Sequence, residues 1–220
     1  MSTIEAIIFD MDGTLVDNMS VHLDIWVDFL AQRGVTITPQ EFHRRTSGQR
    51  NPEIMRQFID PQLSDTEIAE LQEEKESLYR QQHADDMEPM PGSIPFFEAA
   101  QARGLKLAVA TSAYRPNVDF TLDGLQIRPY FQAVVSAEDV VNGKPDPEPF
   151  LLAAKLLNVT PEHCLVFEDA ESGVEAARRA GMRTFYITST TPPEDIPSQP
   201  HIIGNAPNFI DISINNLMEE

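Results

Sequence analysis

The 220-residue chain is long enough for one large domain or for a core with an insertion, and its 41% hydrophobic content is typical of a globular protein. Sixteen basic and 35 acidic side chains give a net charge of −19, which argues against nucleic acid or an anionic membrane as a general partner. The single cysteine, Cys164, excludes an intrachain disulfide. Because the sequence shows neither a signal segment nor an apolar run that could span a bilayer, it predicts a cytoplasmic protein, and it identifies no protein partner.

The first predicted strand leads directly into two acidic residues. It lies in the run AIIFDMDGTLVD (residues 6–17), where the apolar residues 7–9 have the character of a buried parallel strand. Asp10 and Asp12 follow, and Gly13 lets the backbone turn sharply. Two neighbouring carboxylates repel each other, so a site that keeps both needs a cation, a proton or a developing positive charge. Taken alone, the run also fits an incidental turn or part of a calcium-binding loop.

The segment after this run is predicted to be helical. Helical patterns cover residues 20–33, a stretch starting at 38–41, residues 52–59 and residues 64–82. No convincing strand lies among them, and an all-helical block that interrupts an α/β chain after its first strand predicts an inserted helical cap domain. The predicted boundaries are 17–88 for the cap and 1–16 with 89–220 for the catalytic core.

From residue 94 onward, predicted helices and strands alternate. The helices are 94–103, 116–122, 149–157 and 172–180, and the strands are 105–110, 133–136, 163–167 and 184–188. This alternation predicts an α/β fold with a Rossmann-like doubly wound parallel sheet and helices on both faces. Ligands are then expected beyond the carboxyl ends of the strands. Residues 190–200 are predicted to form a surface loop, followed by an edge strand at residues 202–203 and a short helix.

Polar side chains follow three more of the predicted strands. Thr111 and Ser112 are hydroxyl donors able to hold a phosphoryl oxygen. Lys144 lies in the stiff turn GKPD, where its ammonium can neutralise a phosphate and a neighbouring carboxylate. Glu168 and Asp169 form a second acidic pair. Each group also has an ordinary explanation: the hydroxyl residues could cap a helix, the lysine could be a solvated loop charge, and the two acids could lie favourably before a helix. Together at one edge of the sheet, the three groups predict a phosphoryl-transfer site.

The order of these motifs resembles that of the haloacid dehalogenase-like hydrolases over essentially the whole chain. GKPDPEPF (residues 143–150) and VFEDAESGVEAARRAGM (residues 166–182) are specific matches to one subgroup of that superfamily. In this subgroup, which contains β-phosphoglucomutase and phosphoglycolate phosphatase, a helical cap follows the first motif. The resemblance therefore implies the same core fold with an inserted cap.

The resemblance also implies roles for individual residues. Asp10 would be the nucleophile and Asp12 the general acid and base, while Thr111 and Lys144 would bind the phosphoryl group. Ser112 is a further candidate for substrate binding because of its hydroxyl, independently of the resemblance. The implied cofactor is Mg²⁺, and its ligands would be Asp10, the main-chain carbonyl of Asp12, and Glu168 or Asp169.

Five residues are candidates for setting specificity: His22, Arg50, Lys75, Tyr114 and Arg115. His22 and Lys75 match positions of the β-phosphoglucomutase subgroup, and Arg50 could bind a second phosphate. Alternatively, His22 could lie on a helix surface, Arg50 could be an exposed loop residue, and Lys75 could be solvated among neighbouring glutamates.

The sequence thus predicts a Mg²⁺-dependent phosphatase that hydrolyses a small phosphorylated metabolite, with a sugar phosphate as the favoured class, through an aspartyl-phosphate intermediate. The alternative is a β-phosphoglucomutase, which transfers the phosphoryl group between sugar hydroxyls. An inorganic pyrophosphatase and a non-catalytic binding protein are the remaining alternatives.

Overall fold

The computed structural model describes residues 3–46 and 49–219. The chain divides into two compact units, one of residues 1–17 with 88–220 and one of residues 18–87. We call them the α/β unit and the helical unit. Among the described residues, no helix combines the length and the apolar character needed to cross a bilayer.

The described residues form the following elements in chain order: β1 (Ala6–Phe9), α1 (Met19–Ala31), α2 (Pro39–Thr46), α3 (Asn51–Phe58), α4 (Asp65–His83), α5 (Ser93–Ala102), β2 (Lys106–Ala110), α6 (Arg115–Gly124), β3 (Ala133–Val135), α7 (Glu148–Leu157), β4 (Cys164–Glu168), α8 (Glu171–Arg179), β5 (Arg183–Ile187), β6 (Ile202–Ala206) and α9 (Ile214–Glu219). Short 3-10 turns lie at Arg128–Tyr130, Ala137–Asp139, Pro161–His163 and Pro193–Asp195. The predicted helices and the first five predicted strands agree with these bounds to within two residues at each end.

The α/β unit is built on a six-stranded sheet in the order β3-β2-β1-β4-β5-β6. Each neighbouring pair of strands is parallel. The predicted doubly wound parallel sheet is confirmed, and the predicted edge strand is β6. Because β1 lies between β2 and β4, the residues that follow these three strands come out at the same edge of the sheet.

Alternate residues of β1 face opposite sides of the sheet, and both sides are covered. Ile8 belongs to a buried cluster that includes Phe150 of α7 and Ala176 of α8. Phe9 packs on the other side among aromatic rings, with its ring centroid 5.3 Å from that of Phe167. Burying one such side chain stabilises the fold by roughly 1.5–3 kcal/mol. The strand that carries the first acidic residues is therefore held firmly from both faces.

The helical unit contains α1 to α4. Its core is formed by buried apolar residues of these helices and of the segment between α1 and α2: Trp26, Phe29, Leu30, Ile37, Phe42, Ile54, Met55 and Ile68. Its described residues form helices and turns and no strand. The helix α4 begins with a capping box, in which the Ser64 hydroxyl accepts from the Glu67 amide and the Glu67 carboxylate accepts from the Ser64 amide.

Candidate active site

Four charged side chains meet at the carboxyl edge of the sheet. Asp10 follows β1, Glu168 ends β4, Asp169 comes next, and Lys144 lies in the loop between β3 and α7. The Lys144 ammonium donates to Oδ1 of Asp10 at 2.5 Å and to Oε1 of Glu168 at 2.6 Å. One lysine thus bridges acids from two adjacent strands.

Burial sets the charge balance of this group. Burial raises the pKa of Asp10 to about 7. The Lys144 ammonium lowers this pKa, and the Glu168 carboxylate raises it further. Burial alone would lower the pKa of Lys144, but the carboxylates of Asp10 and Glu168 outweigh it and the pKa is raised, so the ammonium stays protonated. Burial also raises the pKa of Asp169, with Glu168 and Asp10 adding to it. A single ammonium does not compensate three buried acids, so the site favours a further positive charge.

The two acids at the end of β4 have different partners. Oε1 of Glu168 accepts from Lys144, and its Oε2 accepts from the main-chain amides of Asp169 and Ala170, each at 2.8 Å. The Asp169 carboxylate instead contacts hydroxyl groups, Thr190 at 2.8 Å and Thr14 at 3.4 Å. Glu168 is therefore more fully occupied by protein donors than Asp169.

The donor set fits a hard divalent cation. Asp10, Glu168 and Asp169 can each offer a carboxylate oxygen, and these oxygens lie within 4.8 Å of one another. All three residues are buried. Carboxylate oxygens are the ligands that Mg²⁺ prefers, and a cation here would offset the burial and the mutual repulsion that raise the pKa values of Asp10 and Asp169.

The turn after β1 requires glycine at position 13. Gly13 has φ +81°, and an added Cβ would lie 2.2 Å from Oδ2 of Asp169. Its amide donates to the carbonyl of Val16 at 2.8 Å, which closes the turn. Asp12 is half-buried in this turn, next to the site. The turn and the second acidic loop thus approach more closely than a side chain would allow.

The hydroxyl residues after β2 differ from each other in exposure. Thr111 is buried, and its hydroxyl accepts from the amide of Ala113 at 3.0 Å, so its proton is left to donate elsewhere. Ser112 is exposed. Thr111 directly follows the strand that pairs with β1, which puts it at the same edge of the sheet as Asp10.

Arg115 is tied to the loop after β3. Its main-chain amide donates to the Glu138 carboxylate at 3.0 Å, and its guanidinium pairs with Asp139 at 2.5 Å. Tyr114 lies just before α6, in the N-cap position of that helix. Both candidates therefore belong to the start of α6.

Sequence reasoning missed the loop after β5. Residues 190–200 were predicted to form a surface loop, yet Thr190 contacts Asp169, and the Ser189 hydroxyl donates to the carbonyl of Gly13 at 2.5 Å. Residues 190–200 do form a loop with many exposed residues, but the contact of half-buried Thr190 with Asp169 was not predicted. The available signal was position alone, because this loop also begins at the carboxyl end of a strand in the sheet.

In the helical unit, His22 and Lys75 lie in contact. The Lys75 ammonium is 3.1 Å from Nδ1 of His22 and 2.9 Å from Oε1 of Glu76, and the His22 ring stacks on Tyr79 with the centroids 4.0 Å apart. An ammonium only donates, so Nδ1 of His22 accepts and its proton resides on Nε2. Burial, with Lys75 adding to it, lowers the pKa of His22 to about 3.

Lys75 and Arg50 contrast in exposure. Only 1% of the Lys75 side chain is exposed, so the alternative of a solvated lysine is wrong. The Arg50 side chain is 52% exposed and pairs with Glu53 at 3.2 Å, as expected for an arginine at the start of a helix.

Comparisons with known proteins identify the family of this chain. Residues 4–181 match the sequence profile of the haloacid dehalogenase-like hydrolases. A phosphorylated carbohydrates phosphatase of Thermotoga maritima is 34% identical over 189 residues, which are 83% of this chain and 84% of the relative. A β-phosphoglucomutase of Mycobacterium bovis is 31% identical over 205 residues, which are 81% of this chain and 78% of the relative.

A solved structure gives the same result for the fold. A haloacid dehalogenase hydrolase of family IA, variant 3, from Entamoeba histolytica superposes with a TM-score of 0.91 at 27% identity, and the match covers 98% of each chain. The profile match spans most of the chain, including β1 to β4 and α8. The chain therefore belongs to the haloacid dehalogenase-like hydrolases.

Proposed function

We propose that this protein is a Mg²⁺-dependent phosphatase that hydrolyses a small sugar phosphate through an aspartyl-phosphate intermediate. The observation that carries the proposal is the buried group at the sheet edge, in which Lys144 bridges Asp10 and Glu168, and a carboxylate oxygen of Asp169 lies within 4.8 Å of one from each of these two acids. A relative whose name gives phosphorylated carbohydrates as its substrates supports the substrate class.

In this proposal the Mg²⁺ ligands are Asp10, the main-chain carbonyl of Asp12, and Asp169. Asp169 is preferred to Glu168 as the direct carboxylate ligand because Lys144 and two main-chain amides already occupy the Glu168 oxygens. When bound, the cation would neutralise the acids and stabilise negative charge on the phosphoryl oxygens.

The first step is attack by an ionised carboxylate oxygen of Asp10 on phosphorus. The Asp10 oxygen to phosphorus bond forms, the bond from phosphorus to the sugar oxygen breaks, and Asp12 gives its proton to that leaving oxygen. Lys144 holds a phosphoryl oxygen and favours the ionised form of Asp10 through its hydrogen bond. The Thr111 hydroxyl donates to a second phosphoryl oxygen.

In the second step Asp12, now ionised, takes a proton from water. The water oxygen bonds to phosphorus, the bond between phosphorus and the Asp10 oxygen breaks, and inorganic phosphate leaves. Because a carboxylate is a weak nucleophile, positioning and charge neutralisation carry the catalysis.

We also propose that the helical unit, residues 18–87, acts as the cap that selects the substrate. Its candidate residues are His22, Lys75 and Arg50. Lys75 and His22 are the stronger pair, since they are packed in a fixed geometry, whereas Arg50 is exposed.

A phosphate-release screen against sugar phosphates, phosphoglycolate and pyrophosphate tests the proposal. Turnover should require Mg²⁺ and disappear in Asp10→Asn, while the exposed Asp17→Asn should retain activity near that of the wild type. Activity of Asp10→Asn close to the wild type would overturn the assignment of the nucleophile. Absence of turnover across the panel, unchanged by chelation, would favour a non-catalytic binding protein, and turnover confined to pyrophosphate would favour a pyrophosphatase.

β-Phosphoglucomutase is the second candidate, because one relative of that name is 31% identical. In a mutase the acceptor of the phosphoryl group is a sugar hydroxyl instead of water. Isomerisation of β-glucose 1-phosphate primed with a trace of the bisphosphate, faster than phosphate release, would favour the mutase.

A further inference from the structure

The loop after β5 brings hydroxyl groups against the acidic loops of the site. Oγ1 of Thr190 lies 2.8 Å from Oδ2 of Asp169 and 2.7 Å from the main-chain oxygen of the same residue. Ser189 donates to the carbonyl of Gly13, and the Thr191 hydroxyl accepts from Tyr186 at 3.1 Å. Of these three consecutive hydroxyl residues, Thr190 is the one that contacts the Asp169 carboxylate.

Thr190 makes the shorter of the two hydroxyl contacts to the Asp169 carboxylate. The contact from Thr14 reaches the other oxygen, Oδ1, at 3.4 Å. On the side of Oδ2, the backbone of Gly13 is so close that an added Cβ would be 2.2 Å away. Oδ2 is thus confined between Gly13 and Thr190, and Oδ1 is the oxygen with the looser protein contact.

A carboxylate confined in this way has a fixed direction. Asp169 is 3% exposed, so bulk water does not compete for its oxygens. The Thr190 hydroxyl shares its one proton between Oδ2 and the main-chain oxygen of Asp169, and this bifurcated hydrogen bond ties the carboxylate to its own backbone. Groups that orient a metal ligand in this way typically change metal affinity or activity about 10–100-fold when they are removed.

We propose that Thr190 is a positioning residue that holds Asp169 in the orientation needed to bind the divalent cation. This inference rests on the proposed function, which makes Asp169 a Mg²⁺ ligand. Thr190 acts through Asp169 and does not itself contact the cation or the substrate.

Thr190→Val removes the hydroxyl and keeps the shape of the side chain. Isothermal titration calorimetry with Mg²⁺, and Mn²⁺ titration followed by electron paramagnetic resonance, should show at least a tenfold increase in Kd. Thr190→Ser keeps the hydroxyl and should remain within threefold of the wild type. Thr191→Val is the matched control, since the Thr191 hydroxyl contacts Tyr186 and the main-chain oxygen of Asp169, at 3.5 Å, rather than the Asp169 carboxylate, and this variant too should remain within threefold.

Other outcomes separate this inference from the proposed function. Unchanged Kd in Thr190→Val, with Mg²⁺ binding intact in the wild type, overturns the positioning role alone. Equal weakening in Thr190→Val and Thr191→Val also overturns it, because the loop and not the hydroxyl would then be responsible. Failure of the wild type to bind either cation overturns the proposed metal site. If circular dichroism shows that Thr190→Val is unfolded, a tenfold loss in folded Thr190→Ser overturns the role, and wild-type affinity in that variant supports it.

Discussion

Replacing Gly173 by alanine should destabilise the protein although the residue lies in a helix. Gly173 is the third residue of α8. In an ordinary helix interior this substitution would stabilise by about 1 kcal/mol, because alanine has the higher helix propensity. We expect Gly173→Ala to lower the free energy of unfolding instead, because of the position of the Glu168 side chain.

The magnitude follows from the contacts of Glu168. A Cβ at position 173 would lie 1.7 Å from Oε1 and 2.0 Å from Cδ of Glu168, so the carboxylate must move. Moving it disturbs three hydrogen bonds, from Lys144 at 2.6 Å and from the amides of Asp169 and Ala170 at 2.8 Å, and we expect two of the three to be lost. Hydrogen bonds to a charged group contribute about 1.5–3 kcal/mol each, so losing two of them costs about 3–6 kcal/mol. Subtracting the gain in helix propensity leaves a net loss of about 2–5 kcal/mol.

Urea unfolding of a double-mutant cycle measures this effect. The proteins are the wild type, Gly173→Ala, Glu168→Ala and the double variant. In the Glu168→Ala background the obstructing atoms are gone, so Gly173→Ala should become neutral or stabilising. Gly181→Ala is the control: with φ +74° and no atom within 4 Å of an added Cβ, it should cost about 1–2 kcal/mol equally in both backgrounds. A coupling free energy near zero between positions 173 and 168, or a stabilised Gly173→Ala single variant, would refute the reasoning.

Three further predictions concern buried groups outside the sheet edge. Glu76→Ala removes a buried partner of Lys75 and should lower the free energy of unfolding by about 3 kcal/mol in urea titrations. Glu41→Ala is the control: it breaks an exposed ion pair and should lower the free energy of unfolding by less than about 1 kcal/mol. Burial and Lys75 lower the pKa of His22 in the folded protein to about 3, so His22 is protonated first in the unfolded state as the pH falls. The contribution of His22 to stability is therefore complete above pH 6.5, and the free energy of unfolding should fall by about 2 kcal/mol between pH 7 and pH 5. His22→Gln should remove this loss of stability. Cys164, whose pKa is raised to about 12 chiefly by burial, should react with a thiol reagent at pH 8 only after denaturation, and rapid labelling of the folded protein would contradict this.

Much of the fold was predictable because strand character and strand order are local in the sequence. The run at residues 7–9 is continuously apolar, as expected for a strand covered on both faces, and it forms the central strand β1. Parallel strands deliver the residues that follow them to one edge, so the positions of Asp10 and Glu168 after two strands predicted their proximity. The pairing of each with Lys144 across separations of 134 and 24 residues required the structure.

The remaining features depend on contacts that leave no pattern in the sequence. Thr190 lies in a proline-rich acidic segment that reads as a surface loop, and its contact with Asp169 is visible only once β5 is placed beside β4. Gly173 reads as an ordinary helix glycine until the position of Glu168 is known. Lys75 is surrounded by glutamates in the sequence, and only the packing of α1 against α4 shows that it is buried beside His22.

The acidity of the chain is compatible with an anionic substrate if the cation binds first. Exposed surface charges are screened over about 8 Å at physiological ionic strength, so the net charge of −19 acts weakly on the buried site. Within the site, Asp10 and Glu168 share the single Lys144 ammonium, so the three buried acids have one positive charge among them and together repel a phosphate. Under the proposed function Mg²⁺ removes that repulsion. Inorganic phosphate should therefore bind the protein in Mg²⁺ and fail to bind it in chelator, as measured by calorimetry, and binding of equal strength in both conditions would refute this order.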